Sequence, residues 1–240
     1  MQNGLYVALS SQIALERRLT TIADNVANAG TVGFRATQVK FEDIVTGTGA
    51  NSISFVSTGG TYLSDVKGGF RNTGNQLDFA IRGDAWFGIE TPDGPVMTRD
   101  GRFTMLQSGQ IVSVEGYPVL DASGTPLQVD PAGGAPSVSA DGFMRQNGEQ
   151  VGAIGLFSFE PGADFRRYGN SGVVPVGTPE PLLDRAEAGV IQGFVEDSNV
   201  NPVLEMTRLI MVQRAFESAH AAIRETESTF GDAVKTLGTG

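Results

Sequence analysis

A regular apolar repeat occupies the last forty residues, and no other feature constrains the fold of this chain as strongly. The repeat advances by alternating steps of three and four residues over about four heptads, which is the spacing of a coiled-coil seam. It predicts a helix of roughly 35 residues, about 50 Å long. Asn201 suits the N-cap, Pro202 the first turn and Gly238 the end of this helix. The repeat positions, all apolar except Thr226, are Leu209, Val212, Phe216, Ala219, Ile223, Thr226, Phe230, Ala233 and Leu237.

A stripe this narrow on so long a helix requires a partner helix, and residues 4–28 supply a candidate. Six of the seven seam positions in this second repeat are apolar. Both helices also carry apolar side chains outside their seams, at Leu9, Ile13, Ile210 and Met211. An ordinary helical hairpin packed on a globular core is one interpretation. The additional apolar residues need further neighbours, however, and therefore favour a bundle of several helices from several subunits. The N-terminal seam positions are Leu5, Ala8, Gln12, Leu15, Leu19, Ile22 and Val26.

The seam residues of both helices form the predicted assembly interface. This set leaves out the polar positions Gln12 and Thr226 and the last two seam positions, Ala233 and Leu237. The predicted interface residues are Leu5, Ala8, Leu15, Leu19, Ile22, Val26, Leu209, Val212, Phe216, Ala219, Ile223 and Phe230.

The residues between the helices divide into a connector and a β domain. Residues 40–76 are rich in Gly, Ser and Thr and predict an extended connector with two strands, Ser52–Val56 and Thr61–Asp65. From Leu77 onward, short apolar runs alternate with turn dipeptides such as Asp93-Gly94, which predicts antiparallel hairpins. The predicted fold class is α+β, with coiled-coil-like terminal helices flanking an inserted antiparallel β domain. The predicted segments are an N-terminal helix in 1–39, the connector in 40–76, the β domain in 77–197 and a C-terminal helix in 198–240.

Charge and composition exclude several classes of partner. The net charge is −10, and the segment between residues 41 and 200 holds nine basic and twenty acidic residues. A chain without a basic stripe is poorly suited to nucleic acid or to anionic membrane surfaces. The chain has no cysteine, which rules out disulfides and thiolate metal sites. No apolar run is long enough to span a bilayer, and the N-terminus lacks the basic segment and apolar core of a secretory signal.

Each catalytic or metal-binding interpretation lacks a necessary residue. The only histidine, His220, lies within the C-terminal helix and is expected at the flank of a bundle. Ser64 and Lys67 have the Ser-x-x-Lys spacing, but their surroundings are Gly-rich rather than helical. Asp121 begins a calcium-loop-like run that has Ala132 where the bidentate Glu is required. We therefore predict no enzymatic activity, no cofactor, no metal and no small-molecule substrate.

Three motifs, in order along the chain, resemble those of the bacterial flagellar rod and hook proteins. The first is Ile22–Arg35, in which an Asn-rich helix end precedes Gly33-Phe34. The second spans Leu77–Phe103 and continues to Leu120, and the third spans Ser198–Glu217. Together they cover both ends and the core of the middle, which makes the resemblance specific. The residues that carry it are Asn25, Asn28, Gly33, Phe34, Leu77, Ile81, Gly83, Phe87, Arg99, Gly101, Phe103, Asn199, Gln213 and Arg214.

This resemblance implies a structural role in the basal body. The length and the opening Gly4–Leu9 most resemble proximal rod members, with the distal rod protein as the alternative, although Asp84–Phe87 departs from the usual pattern. Terminal helices would pack with those of copies and of other rod proteins into the inner tube of the rod, and the β domain would form its outer layer. The tube would transmit torque and enclose the export channel. Family members leave the cytoplasm through the flagellar type III apparatus without cleavage of a signal, and reach the rod that spans the periplasm.

Two interpretations from other classes make different predictions. A Ser64/Lys67 hydrolase predicts labelling of Ser64 by an acylating probe. An adhesive or lectin-like β module with coiled-coil oligomerisation predicts a closed trimer that binds glycans rather than a tube.

Overall fold

A computed structural model describes residues 2–46, 53–57, 60–182 and 188–238. The chain forms two compact units. The helical unit contains Met1–Ala27, Thr37–Tyr62 and Asn201–Gly240, and the β unit contains Asn28–Ala36 and Leu63–Val200. Within the described residues, neither helix has a stretch long and apolar enough to cross a membrane.

The helical unit is built on two helices, α1 (Gln2–Ala27) and α2 (Pro202–Gly238). Asn201 begins α2 as predicted, because its Oδ1 accepts a hydrogen bond from the Leu204 N–H at 3.1 Å. Helix α1 contacts both α2 and one strand of a small hairpin, which gives it a wider covered face than α2 has. The strands near the helices are β1 (Thr37–Val39), β2 (Glu42–Thr46), β3 (Ile53–Ser57) and β4 (Thr61–Leu63), paired β1 with β4 and β2 with β3.

The β unit contains the remaining strands, most of them three to six residues long and joined by tight turns. Such short strands follow from the frequent turn dipeptides, since glycine supplies the positive φ that these turns need at positions such as Gly94 and Gly116. The strands are β5 (Phe70–Asn72), β6 (Phe79–Arg82), β7 (Trp86–Thr91), β8 (Gly94–Thr98), β9 (Phe103–Met105), β10 (Ile111–Ser113), β11 (Ser137–Val138), β12 (Phe143–Gln146), β13 (Glu149–Ala153), β14 (Leu156–Ser158), β15 (Arg166–Tyr168), β16 (Gly172–Val174), β17 (Glu180–Pro181), β18 (Gly189–Gln192) and β19 (Phe194–Glu196).

These strands form small antiparallel sheets around two clusters of buried apolar residues. The largest sheet has the order β15-β16-β8-β7-β14-β17, and a three-stranded sheet has the order β11-β12-β13. The pairs β9–β10, β6–β18 and β5–β19 complete the unit. The central cluster of buried apolar residues is Phe79, Ile81, Ala85, Phe87, Ile89, Val96, Phe103, Ile111, Val119, Leu127, Val129, Met144, Ile154, Leu156, Ala188 and Val190.

Two terminal helices with a mostly antiparallel β region make an α+β chain, in agreement with the prediction. The boundaries differ from those predicted. The predicted connector is divided, because residues 37–62 belong to the helical unit and residues 63–76 to the β unit. Residues 28–36 also belong to the β unit rather than to an N-terminal helical segment. The reason is long-range pairing: β5 in the predicted connector pairs with β19, which sequence periodicity does not reveal.

A buried ion pair joins distant segments of the β unit. The side chains of Arg99 and Glu196 are 1% and 2% exposed, and Arg99 Nε donates to Glu196 Oε2 at 2.7 Å. The remaining guanidinium hydrogens reach the carbonyls of Ile81, Gly83 and Ala85. Burial lowers the pKa of Arg99, and the carboxylate of Glu196 opposes this effect. Arginine stays charged in proteins, so the carboxylate and carbonyls stabilise a buried cation.

Loss of the Glu196 charge is expected to destabilise the β unit strongly. Glu196→Gln keeps the shape of the side chain but leaves the buried cation of Arg99 without its anion, which costs about 3–5 kcal/mol. Asp197→Asn is the matched control, because Asp197 pairs with Arg71 where both side chains are about half exposed. Such an exposed pair contributes about 0–1 kcal/mol. Denaturant unfolding followed by the fluorescence of Trp86 measures both, and equal losses would contradict the assignment.

Candidate functional site

The predicted assembly residues lie on the covered sides of the two helices. On α2, Leu209, Phe216, Ala219 and Ile223 are half-buried and Val212 is buried. Every other described side chain from residue 206 to residue 225 is exposed, so the heptad repeat locates the covered stripe of this helix. On α1, Ile22 is buried, and the half-buried seam residues are Ala8, Leu15, Leu19 and Val26. The side chains of Leu5 and Phe230 lie outside the described residues.

A second apolar surface on the helices stays exposed. Leu9 and Ile13 on α1 are 48% and 52% exposed, and Ile210 and Met211 on α2 are 53% and 58% exposed. Val203, Leu204 and Met206 extend the exposed set to the start of α2. At roughly 100° per residue, the exposed set on α2 is centred about 180° from its covered stripe. The first turns of α2 are therefore apolar on two opposite sides, and only one of these sides is covered.

The N-terminal family motif forms the end of α1 and the turn that follows. Asn25 hydrogen-bonds both backbone groups of Thr37, at 2.9 Å each, which holds the chain within the helical unit. In the β unit, Asn28 accepts a hydrogen bond from the Thr31 hydroxyl. Gly33 has φ of 70°, and a Cβ there would lie 2.2 Å from the Asp100 nitrogen. Glycine is therefore required at this close approach.

Phe34 and the central motif are core residues of the β unit. Phe34 is buried with the Arg167 guanidinium over its ring at 4.3 Å. Phe103 packs edge-to-face against Phe87 with ring centroids 5.2 Å apart, while Ile81 is buried and Leu77 packs on the same cluster. Gly101 permits a close crossing, since a Cβ there would lie 1.8 Å from a backbone oxygen. Gly83, with φ of 97°, turns the chain so that its carbonyl faces Arg99.

The C-terminal motif has members in both units. In the β unit, Asn199 Oδ1 accepts from the Ala36 N–H at 2.7 Å, and its Nδ2 donates to the Val66 carbonyl at 2.6 Å. In the helical unit, Gln213 and Arg214 are exposed on α2. The family motifs therefore consist mainly of residues that hold the backbone in place or fill the core of the β unit, with a smaller part on the helix surface.

Glu196 is not among the residues predicted from the sequence, and Arg35 is there only as the last residue of a motif. Arg35 is almost fully buried, and its Nε lies 3.4 Å from Glu196 Oε1. Nothing local marks Glu196, since its partner Arg99 is 97 positions away. These residues lie beside a cleft of about 620 Å³, which Arg35, Arg99, Trp86 and Lys67 help to line.

The arrangement at Ser64 and Lys67 does not suit acyl transfer. Ser64 is buried, and its Oγ accepts a weak hydrogen bond from the Val66 N–H. Lys67 Nζ lies 2.8 Å from Asp84 Oδ1, and this hydrogen bond lowers the pKa of the Asp84 carboxyl. The lysine is thus engaged by a carboxylate, and the serine hydroxyl by a backbone N–H, rather than by each other. His220 is exposed on α2, and the Asp121 carboxylate accepts hydrogen bonds from Ser123 and Thr125 within a turn.

Three family descriptions match successive parts of the chain. Residues 5–35 match "Flagella basal body rod protein", residues 80–145 match "Flagellar hook protein FlgE/F/G D1 domain", and residues 191–236 match "Flagellar basal body rod FlgEFG protein C-terminal". Each matched range overlaps one of the three motifs described above.

Full-length relatives agree with these matches. The chain is 65% identical to the flagellar basal-body rod protein FlgF of Mesorhizobium japonicum and 52% identical to that of Rhizobium meliloti, each over 99% of both chains. Identity to the flagellar basal-body rod protein FlgG of Bacillus subtilis is 29% over 98% of both chains. The similarity is thus greater to FlgF than to FlgG. This chain belongs to the FlgF family of flagellar basal-body rod proteins and is a structural subunit rather than an enzyme.

Proposed function

We propose that this chain builds the proximal rod by joining the exposed faces of its terminal helices to copies of itself and to other rod proteins. The observation that carries the proposal is the small core of the helical unit. Among the side chains described there, the apolar ones that are fully buried are Ala14, Ile22 and Val212. In the β unit, one cluster alone contains sixteen such residues.

The buried side chains indicate that the helical unit needs neighbours. Ile22, Val212 and the smaller Ala14, with the half-buried seam, are a small described core for helices of 26 and 37 residues. Contacts with other subunits would bury further apolar side chains.

The two apolar surfaces of α2 suit two different contacts. The covered stripe containing Val212 packs within the chain, because α1 and α2 contact each other. The exposed set containing Ile210 and Met211 is then free to pack against neighbours. A heterologous contact repeated with a rotation that does not close produces a helical tube. Rigid helices in such a tube transmit torque and surround a channel for exported subunits, while the β unit forms the outer layer.

Delivery to the rod fits the same physical picture. We infer export in an unfolded state through the flagellar type III apparatus, without cleavage of a signal, to the rod that spans the periplasm. A chain without cysteine has no disulfide that would hold residues together during passage. The small core of the helical unit also keeps the terminal segments easy to unfold and leaves their final packing to the site of assembly.

Asp substitutions at Ile210 and at Val212 test whether the exposed and the covered apolar surfaces of α2 have different roles. Ile210→Asp is expected to change the free energy of unfolding of the monomer by less than about 0.5 kcal/mol, since Ile210 is exposed. It should nevertheless prevent incorporation into basal bodies, because a charge would be buried at the contact with the neighbour. The measurements are helical circular dichroism of the purified chain and recovery of the chain in basal bodies isolated from cells that lack the wild-type copy.

Val212→Asp is the matched control on the covered stripe. It is expected to reduce the helical signal of the monomer, because Val212 is 6% exposed within the chain. Phe216→Asp and Leu19→Asp replace half-buried seam residues. Like Ile210→Asp, they should block assembly, and the β unit should stay folded. Normal incorporation of Ile210→Asp would refute the proposed contact surface.

Amide exchange of the purified monomer tests the dependence on neighbours. Residues 5–26 and 209–230 are expected to exchange much faster than β7 and β8, because few of the apolar side chains described in the helical unit are fully buried. Mass spectrometry of peptides from both units measures the difference. Strong protection of both helices in the monomer would show that they are already stable without neighbours.

A further inference from the structure

The chain passes between its two units at four points. The β-unit segments next to three of these points are joined to one another by hydrogen bonds. The crossings follow Ala27, Ala36, Tyr62 and Val200. We call this set of hydrogen bonds the junction brace. It joins three segments of the β unit, residues 33–36, 63–69 and 196–199, each of which ends within a few residues of a crossing.

Asn199 is the central side chain of the junction brace. Its amide oxygen accepts from the Ala36 N–H and its amide nitrogen donates to the Val66 carbonyl, at 2.7 and 2.6 Å. Its own backbone N–H donates to the Phe34 carbonyl at 3.3 Å. The Ala36 carbonyl in turn accepts from the Ser64 N–H at 2.8 Å. One half-buried asparagine thus links the segment leading to α2 with both of the other segments.

Glu196 connects the same three segments to the core. Its backbone oxygen accepts from the Gly33 N–H at 2.7 Å, and its Oε1 accepts from the Gly68 N–H at 3.2 Å. The same carboxylate pairs with Arg35 and Arg99. Next to it, the Asp197 N–H donates to the Gly69 carbonyl at 2.8 Å. The brace is therefore anchored on the buried ion pair of the β unit.

We propose that the junction brace is the element through which mechanical load passes between the helices and the β unit, with Asn199 as its positioning residue. The inference rests on the proposed function, in which a turning rod loads each subunit through its helices. Force that enters at Val200 is shared by hydrogen bonds to two neighbouring segments. Bonds that share a load must break together, so rupture is slower than when they break one by one.

A pulling experiment on the full chain tests the proposal, because the direction of the load can be chosen. The natural chain has no cysteine, so introduced cysteines are the sole attachment points. In the first geometry, the chain is pulled between Val203→Cys in α2 and Val114→Cys in the β unit, so the load passes through the junction brace. In the second, Val114→Cys and Glu149→Cys lie within the β unit, and the load avoids the brace. All three positions are exposed.

Asn199→Ala removes the two side-chain hydrogen bonds and keeps the backbone bond to Phe34. We expect the rupture rate at constant force to rise about tenfold in the first geometry and to stay within twofold in the second. Asn199→Asp is a milder variant, which retains an acceptor for the Ala36 N–H but cannot donate to Val66. Its rupture rate in the first geometry should lie between that of natural Asn199 and that of Asn199→Ala.

Gln146→Ala is the matched control variant. Gln146 is a buried amide with three hydrogen bonds to Asp130 and Gly134, away from the brace. A general loss of stability would raise the rupture rate of Asn199→Ala in both geometries and make it equal to that of Gln146→Ala in the first, and this result would overturn the proposal. An unchanged rate for Asn199→Ala in the first geometry would also overturn it.

This test is independent of assembly. Single chains are pulled, so failure of the helices to join neighbours would leave the comparison of geometries intact. Conversely, a normal rod built by Ile210→Asp would refute the proposed contact surface without changing the rupture rates.

Discussion

The buried pair of Arg99 and Glu196 is the interaction on which the β unit depends. An isolated charge in the interior is costly, so each member requires the other. The guanidinium also donates hydrogen bonds to the carbonyls of Ile81, Gly83 and Ala85, which lie between the end of β6 and the start of β7. One ion pair therefore holds the turn before β7, the loop after β8 and the last strand of the unit together. The segments that lead to the helices are attached to the same carboxylate.

The two units differ in how much apolar surface they bury within the chain. The β unit buries a large apolar cluster and is expected to fold without partners. The helical unit has a regular seam, but few of its described side chains are fully buried, and apolar residues such as Ile13 and Ile210 lie on its surface. A subunit built in this way is expected to remain a discrete chain until neighbours cover its helices. This combination suits a structural protein whose fold is completed by assembly, as we propose for the proximal rod.

Part of the architecture could be read from the sequence because the signals are local. The spacing of Val212 and Phe216 on α2 identified the stripe that the structure covers, since helical periodicity repeats within a few residues. Turn dipeptides such as Asp93-Gly94 likewise identified the hairpins. The boundaries between the units were not accessible in this way. They depend on the pairing of β5 with β19, whose residues are more than a hundred positions apart.

The amino-acid sequence was sufficient to predict two terminal helices around an antiparallel β region and a resemblance to flagellar rod and hook proteins. Periodicity, turn chemistry and ordered motifs are properties of neighbouring residues, and they need no knowledge of the fold. The folded structure was needed to show which apolar side of α2 is covered within the chain and which stays exposed. It also decided that Glu196 and Asn199 connect distant segments. Burial and charge pairing depend on what the folded chain brings near each side chain, and no local pattern carries that information.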